Sequence, residues 1–248
     1  MALALDQVSV SFGGPTPVLD RLDLNIAPGE FVSLVGASGC GKSTVLRLLA
    51  GLVEADSGRV HRSDGHTVSF VFQEPNLLPW RTVVENIRLP LELLGVDPEE
   101  TRSRVDHGLQ LIGFSEADRQ KMPGELSGGM KMRTSLARAL VTHPDVLLLD
   151  EPFAALDDIL REQLNEDLLE IHTTQQVTSV FVTHNVAEAV FLSDRIIVMP
   201  NDAADPVVHI PVELPRPRSP SLRGDPAFAR LVGRVSGQLR GEDWTGES

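Results

Sequence analysis

The 248-residue sequence predicts an α/β fold, a mostly parallel sheet flanked by helices, with an N-terminal antiparallel β part and an inserted helical part. Three observations predict it. The apolar run Phe31-Val32-Ser33-Leu34-Val35 feeds a glycine-rich turn and then the helical pattern Val45-Leu46-Arg47-Leu48-Leu49-Ala50, so a buried strand, a loop and a helix start follow one another. Val146-Leu147-Leu148-Leu149 and Ser179-Val180-Phe181-Val182-Thr183 are continuous apolar strands of the kind that a parallel sheet buries on both faces. Between those core strands, positions 84 to 112 carry apolar residues at helical rather than strand spacing.

Taken in order, the stretch from Ala4 to Phe12 presents Leu5, Val8, Val10 and Phe12 as the apolar side of a half-buried strand ending at the turn Gly13-Gly14-Pro15. Phe12, at the strand end, is either a stacking surface for an adenine ring or an ordinary core-edge residue. Val18 to Ile26 alternates again, and Pro28-Gly29 turns the chain into the strand at Phe31. After Ala50, Gly51, Ser57-Gly58 and Asp64-Gly65 read as turns, and Thr67 to Phe72 as a short strand ending at Gln73. Val84 to Leu94 reads as a helix, Asp97-Pro98-Glu99-Glu100 as a helix start with acid in its first turn, and Val105, Leu109 and Ile112 continue one face. Ser127-Gly128-Gly129 starts a helix that buries Met132, Leu136, Ala139 and Leu140. Past the strand at Ser179, Val207 to Ile210 and Val212 read as an edge strand, Pro211 to Pro220 as an extended proline-rich segment, and Phe228, Leu231, Val232 and Val235 as a closing helix. Arg216 and Arg218 are read as part of a solvated extended segment.

Composition restricts what this fold can serve. The 35 acidic and 22 basic residues give a formal net charge of −13 with no block of like charge, which disfavours nucleic acid and anionic lipid as partners. The single cysteine, Cys40, excludes an intramolecular disulfide, and the first residues lack the basic start and apolar core of a signal peptide. A cytosolic location is expected. No stretch approaches the ~20 apolar residues needed to cross a bilayer.

The chemistry gathers at the ends of the apolar strands. Gly36-Ala37-Ser38-Gly39-Cys40-Gly41-Lys42-Ser43-Thr44 is a P-loop: its backbone N–H groups can converge on phosphate oxygens at the positive end of the following helix. Side chains at Gly36, Gly39 and Gly41 are expected to obstruct that approach. Lys42 is placed to reach the terminal phosphates, and the Ser43 hydroxyl to ligate a Mg²⁺ that bridges them. Asp150 and Glu151 follow the strand at Val146, where open α/β sheets bind ligands. Asp150 suits the Mg²⁺ shell and Glu151 the attacking water. His184 ends the strand at Ser179 on the same rim, and Ser127-Gly128-Gly129 offers a second set of free donors at a helix start.

As a set, these motifs resemble the ATP-binding subunit of ABC transporters, from Leu5 to about Leu239. The Walker A sequence is Gly36 to Thr44, the Q-loop Phe72-Gln73-Glu74-Pro75, and the signature Leu126-Ser127-Gly128-Gly129-Met130. Walker B runs from Val146 to Asp150 with Glu151 behind it, the D-loop is Ala154-Ala155-Leu156-Asp157, and the switch is Thr183-His184. Phe72 to Trp80, Glu188 to Arg195 and Leu214-Pro215-Arg216-Pro217-Arg218 look like the nitrate, sulfonate, taurine and bicarbonate importer branch. Met130 departs from the glutamine usual at the end of the signature.

The resemblance implies a P-loop NTPase core at 1–73 and 131–213, including the antiparallel β subdomain, a helical subdomain at 74–130 that carries the signature, and a C-terminal segment and helix at 214–248. It implies ATP and Mg²⁺ as cofactors. Phe12, the Walker A residues, Ser127, Gly128, Gly129 and Asp157 would contact nucleotide, and Ser43, Gln73 and Asp150 would serve the metal. Lys42, Gln73, Glu151 and His184 would carry hydrolysis, with Glu151 as base and His184 at the γ-phosphate. The implied partners are a second copy of the chain (or a paralogue) in a head-to-tail ATP sandwich, membrane permease subunits at the cytoplasmic face, and indirectly a solute-binding protein. The rivals are a soluble ABC-type ATPase acting on nucleic acid or ribosomes, which would favour paired cassettes or a long coiled coil, the same importer subunit serving a different solute class, and a small-molecule P-loop kinase.

Overall fold

The computed structural model describes residues 2–14, 16–63 and 65–242; Pro15 and Asp64, read above as turn residues, lie outside the described residues. β1 (Leu3–Val10) and β2 (Leu19–Ile26) pair antiparallel. Leu5 and Val8 are three positions apart yet both buried, because the register of β1 shifts between them and Gln7 takes a left-handed φ of 50°. That is a β-bulge, which restores the inward direction of Val8. β3 (Phe31–Val35) then enters the main sheet and α1 (Lys42–Ala50) leaves it.

β4 (Ser57–Arg62) returns to the free edge of β1, so the small sheet has the order β2-β1-β4. Sequence reading took Ser57-Gly58 as a turn and missed this strand, because Val60 is the lone large aliphatic residue among exposed polar ones. Gly58 is needed there: a Cβ would stand 2.2 Å from the Gln7 carbonyl oxygen at the bulge.

The remaining strands are β5 (Val68–Val71), β6 (Val146–Asp150), β7 (Thr178–Val182), β8 (Arg195–Val198) and β9 (Val208–Pro211). With β3 they form one sheet of order β5-β6-β7-β3-β8-β9, parallel except for β9. β3, β6 and β7 are buried at every position, which accounts for their lack of polar alternation. The adjacency of β6, β7 and β3 places the loops after these strands side by side on one rim.

The inserted helices are α2 (Val83–Leu93) and α3 (Pro98–Leu111), followed by α4 (Gly128–Leu140). α2 starts on a capping box: Thr82 Oγ1 accepts from Glu85 N, and the Glu85 carboxylate accepts from Thr82 N at 2.8 Å. The Thr82 N–H, joined by the Thr82 hydroxyl donating to the same carboxylate oxygen at 3.2 Å, holds the Glu85 carboxyl below its usual range. α3 starts on Asp97, as its sequence suggests, with Asp97 accepting from Glu99 N and Glu100 N. Val83, Ile87, Leu91, Val105 and Leu109 form a separate apolar cluster, to which α4 adds Ala137 and the following residue Val141.

α5 (Asp158–Gln175), α6 (Val186–Leu192) and α7 (Pro226–Leu239) pack around the core. The tail corrects one expectation. Arg218 is buried, and its Nη1 donates to the carbonyls of Phe191 at 2.8 Å and Val190 at 3.4 Å, closing the C-terminus of α6. Burial lowers its guanidinium pKa to about 10. Arg216 donates to Asp194 at 2.6 Å and to the Leu192 carbonyl at 3.2 Å. Arg218 is therefore not solvated as expected, whereas Arg216 stays exposed in an extended segment and is tied to the end of the same helix through Asp194 and Leu192.

Candidate functional site

A strand that ends on Val35 and a helix that begins at Lys42 leave six residues to make a tight loop. Its glycines are required for different reasons. A Cβ at Gly36 would lie 2.6 Å from Cys40 Sγ and 3.0 Å from Met199, and one at Gly41 would lie 2.6 Å from Leu19 Cδ2. Gly39 has open space around it but takes φ 84°, which an L side chain rarely adopts. Packing thus favours glycine at position 36, backbone conformation at position 39, and both at Gly41, whose φ is 99°.

The buried ammonium of Lys42 folds back onto the loop, donating to the carbonyls of Gly36 at 2.9 Å and Ala37 at 2.8 Å. Cys40 is partly exposed, its Sγ 3.9 Å from the same nitrogen. It also lines a cleft of about 370 Å³ between β2 and the chain from Met199 to Val207.

From the neighbouring residue on α1, Ser43 Oγ donates to Asp150 Oδ1 at 2.9 Å. Burial raises the Asp150 carboxyl above its usual range, against the opposing pull of the Ser43 hydrogen bond and of Arg47. A magnesium ion is held by one or two protein oxygens, with water and phosphate completing its shell. Ser43 Oγ and the Asp150 carboxylate, in contact at the end of β6, fit that donor set. Among the described residues no group of three or more His, Cys, Asp and Glu could hold a metal ion by itself.

Glu151 follows with φ 45°, its N–H donating to the Val182 carbonyl at 3.0 Å. A non-glycine residue in this region is strained by roughly 1–3 kcal/mol. The turn aims the carboxylate along the rim, where Oε2 lies 3.2 Å from His184 Nδ1. Glu151 is the more enclosed of the two, at 23% side-chain exposure against 62% for His184. Thr183 N donates to the Leu34 carbonyl at 3.3 Å and so ties the switch to the strand that feeds the P-loop.

The structure therefore brings Lys42, Ser43, Asp150, Glu151 and His184 onto adjacent strand ends. Gln73 follows β5 on the next strand along and is exposed. Phe12, two residues past the end of β1, is 59% exposed.

The signature residues stand apart from this group. Ser127 Oγ caps α4 by accepting from Met130 N at 3.3 Å. Gly129 meets α5 so closely that a Cβ would lie 2.4 Å from Leu160 Cδ2, and one at Gly128 would lie 3.5 Å from Leu156 Cδ2. Asp157 caps α5 by accepting from Leu160 N at 3.0 Å.

Sequence reading missed two connectors. Arg138 on α4 donates to the carbonyls of Asn76 at 2.9 Å and Pro75 at 2.7 Å, joining the helix after the signature to the loop after Gln73. Arg161 on α5 donates to the carbonyls of Phe153, just before the D-loop, and Leu156, within it. The residues contacted are distant in sequence or are backbone atoms, and neither leaves a pattern in the chain.

A family model described as ABC transporter matches residues 19–154. The nitrate import ATP-binding protein NrtD of Synechococcus elongatus is 41% identical over 230 residues, covering 88% of this chain and 83% of that protein. The aliphatic sulfonates import ATP-binding protein SsuB 1 of Agrobacterium fabrum is 42% identical over 248 residues, covering 100% of this chain and 87% of that protein. Among solved structures, the ATP-binding cassette MJ0796 in a dimeric post-hydrolysis state with ADP and Pi superposes with a TM-score of 0.75. It is 31% identical, over 86% of this chain and 99% of that one.

Proposed function

Because the chain belongs to the ABC transporter family and is an ATP-binding ATPase, we propose that it hydrolyses MgATP to energise uptake of a small anionic solute through a separate membrane permease. The nitrate and sulfonate importers among its relatives support that direction and that solute class. The observation that carries the catalytic reading is the Glu151–His184 contact at 3.2 Å, on the rim where Ser43 and Asp150 also meet.

In this reading the Lys42 ammonium exchanges the Gly36 and Ala37 carbonyls for the terminal phosphates, carrying its charge to the site of cleavage. The Glu151 carboxylate takes the proton of the attacking water. His184, the more exposed partner, reaches the γ-phosphate while its Nδ1 stays against Glu151. Magnesium, held by Ser43, Asp150 and Gln73, would neutralise the charge that develops on the phosphates. Phe12 offers an exposed ring for the adenine.

Ser127 and Gly129 make no part of this rim within one chain, which is the arrangement expected if they complete the site of a second copy. The dimeric state of the MJ0796 cassette supports a head-to-tail pairing. Among the described residues no helix is long and apolar enough to cross a membrane, so membrane association in this reading runs through the permease, at its cytoplasmic face. Solute selectivity then rests with the permease and its solute-binding protein.

The test is phosphate release from MgATP by the purified chain, in water and in the presence of candidate phosphoryl acceptors. Release to water, lost in Glu151→Gln, is expected. Stoichiometric transfer to a small acceptor would replace this reading with the kinase one.

A further inference from the structure

Two loops flank the Glu151–His184 contact: residues 152–157, which lead into α5, and residues 183–185, which lead into α6. They are held by one buried carboxylate. Glu188 on α6 is 5% exposed, and its Oε2 accepts the Thr183 hydroxyl immediately before His184. Its Oε1 lies 3.7 Å from Arg161 Nε and 3.5 Å from Asn165 Nδ2, both on α5.

Arg161 completes the connection. The same guanidinium that faces Glu188 donates to the Leu156 carbonyl at 2.6 Å and the Phe153 carbonyl at 3.3 Å. On the switch side, Asn185 N donates to Thr183 Oγ1 at 2.9 Å, and Glu188 N donates to Asn185 Oδ1 at 3.2 Å. The loop after Glu151 and the turn carrying His184 thus end on opposite sides of the Glu188–Arg161 pair, with Arg161 Nη1 also paired to the exposed Asp158 at 2.6 Å.

A stability requirement alone does not account for this choice of residues. Burying a carboxylate and a guanidinium costs several kcal/mol per ion in desolvation, and apolar replacements of similar volume are often neutral or stabilising. The arrangement is also incompletely satisfied. Asn165 is 2% exposed, yet its Oδ1 has no hydrogen-bond partner. Burial, the largest effect on Glu188, raises its carboxyl above the usual range despite the Thr183 and Arg161 contacts. What an ion pair supplies and an apolar pair does not is direction, since both partners must keep one register to hold Thr183 and the two carbonyls.

We propose that Glu188 and Arg161 are a positioning pair for hydrolysis, setting the loop after Glu151 and the Thr183–His184 turn in one register so that base and switch meet the phosphate together. This rests on the catalytic reading of Glu151 and His184. Neither residue of the pair touches nucleotide. Their effect therefore falls on kcat and leaves ATP affinity in place.

The experiment compares the purified full chain with Glu188→Gln, Arg161→Lys, Arg161→Gln, the double variant Glu188→Gln/Arg161→Gln, and His184→Ala. Turnover, the KM for ATP and the melting temperature are read for each. Each single Gln variant is expected to lose about tenfold in kcat with KM within about twofold. Their combination is expected to lose no more than the worse single, because both break the same connection. Arg161→Lys keeps the charge facing Glu188 but cannot span both carbonyls, and it falls between wild type and Arg161→Gln. Multiplicative losses in the double variant, or losses that follow melting temperature with KM rising in step, overturn the pair alone. Wild-type turnover in His184→Ala overturns the catalytic reading on which the pair depends.

Discussion

Ser43 and Asp150 stand 107 positions apart and share a hydrogen bond of 2.9 Å, hydroxyl to carboxylate, at the end of β6. The bond ties the first turn of α1 to the end of β6 and holds the site's two oxygen donors together. It does not fully offset the desolvation of Asp150, whose carboxyl titrates above its usual 3.8.

That shift makes the first prediction. A carboxyl with a raised native pKa favours folding in its protonated form, so its contribution is complete below the ordinary value and is lost as pH rises through the native one. At neutral pH the ionised Asp150 weighs against the nucleotide-free fold. Asp150→Asn keeps an oxygen for the Ser43 hydroxyl and removes the charge. The apo melting temperature should rise at pH 7, by less as pH falls toward the carboxylate range, while the added stability from MgATP should shrink. A lower apo melting temperature at pH 7 contradicts this account.

Lys42→Ala removes a buried ammonium that two loop carbonyls hold. Turnover should fall by at least about a hundredfold, since a preorganised charge at the phosphates is lost. The fold should survive at a cost of about 1–3 kcal/mol for the carbonyls left without a donor. Turnover assays with circular dichroism separate the two effects, and wild-type turnover in a folded variant would sink the role given to Lys42.

Glu151→Gln preserves shape and hydrogen bonding to His184 but removes the proposed base. MgATP should then stay bound and hold two copies together, because ligand that is not consumed stabilises the state that binds it. Adding Ser127→Arg places a large cation at the start of α4 and should return the protein to monomer. Light-scattering mass of both variants with MgATP, alone and with the permease, is the measurement. Equal dimerisation of both variants rejects a shared site.

Arg218→Met keeps much of the buried volume and leaves the Val190 and Phe191 carbonyls at the end of α6 without their donor. Unsatisfied buried acceptors of this kind cost about 1–3 kcal/mol. In a chain of this size each kcal/mol lowers Tm by about 2–4 °C. A thermal melt within one degree of wild type would show that solvent replaces the arginine without loss.

Trp80 is 70% exposed, with Leu93 and Leu94 at the end of α2 at 79% and 66%. These side chains do not form the core of the inserted helices, and a permease docking there in the proposed reading is expected to cover them. Trp80→Ala should leave the melting temperature and basal ATPase activity near wild type and lower transport in a reconstituted complex. Unchanged transport rejects the docking role.

Much of this arrangement could be read from the chain. The buried strands, the P-loop, Asp150, Glu151 and His184 are legible because a continuous apolar run followed by a charged residue has few other readings in an α/β protein. Asp97 and Ser127 as helix starts were legible from local capping chemistry. β4 was not, since its exposed face hides the alternation that marks a half-buried strand. Arg218 was misread because its acceptors are backbone carbonyls more than twenty positions away. Glu188 and Arg161 were invisible as a pair for the same reason, since sequence spacing carries no information about which helices pack together.

The two sheets leave the outer edges of β2, β4, β5 and β9 without a strand partner among the described residues. Such edges invite another chain to add a strand. β9 is four residues long and ends on Pro211, which has no N–H to offer. β4 presents Arg59, His61 and Arg62 along its exposed length, and the pairing between β1 and β2 is broken by bulges with Arg21 at φ 45°. Together with a formal charge of −13, these features discourage strand-to-strand association. The same chain that leaves Trp80 exposed thus guards its sheet edges against pairing with other copies of itself.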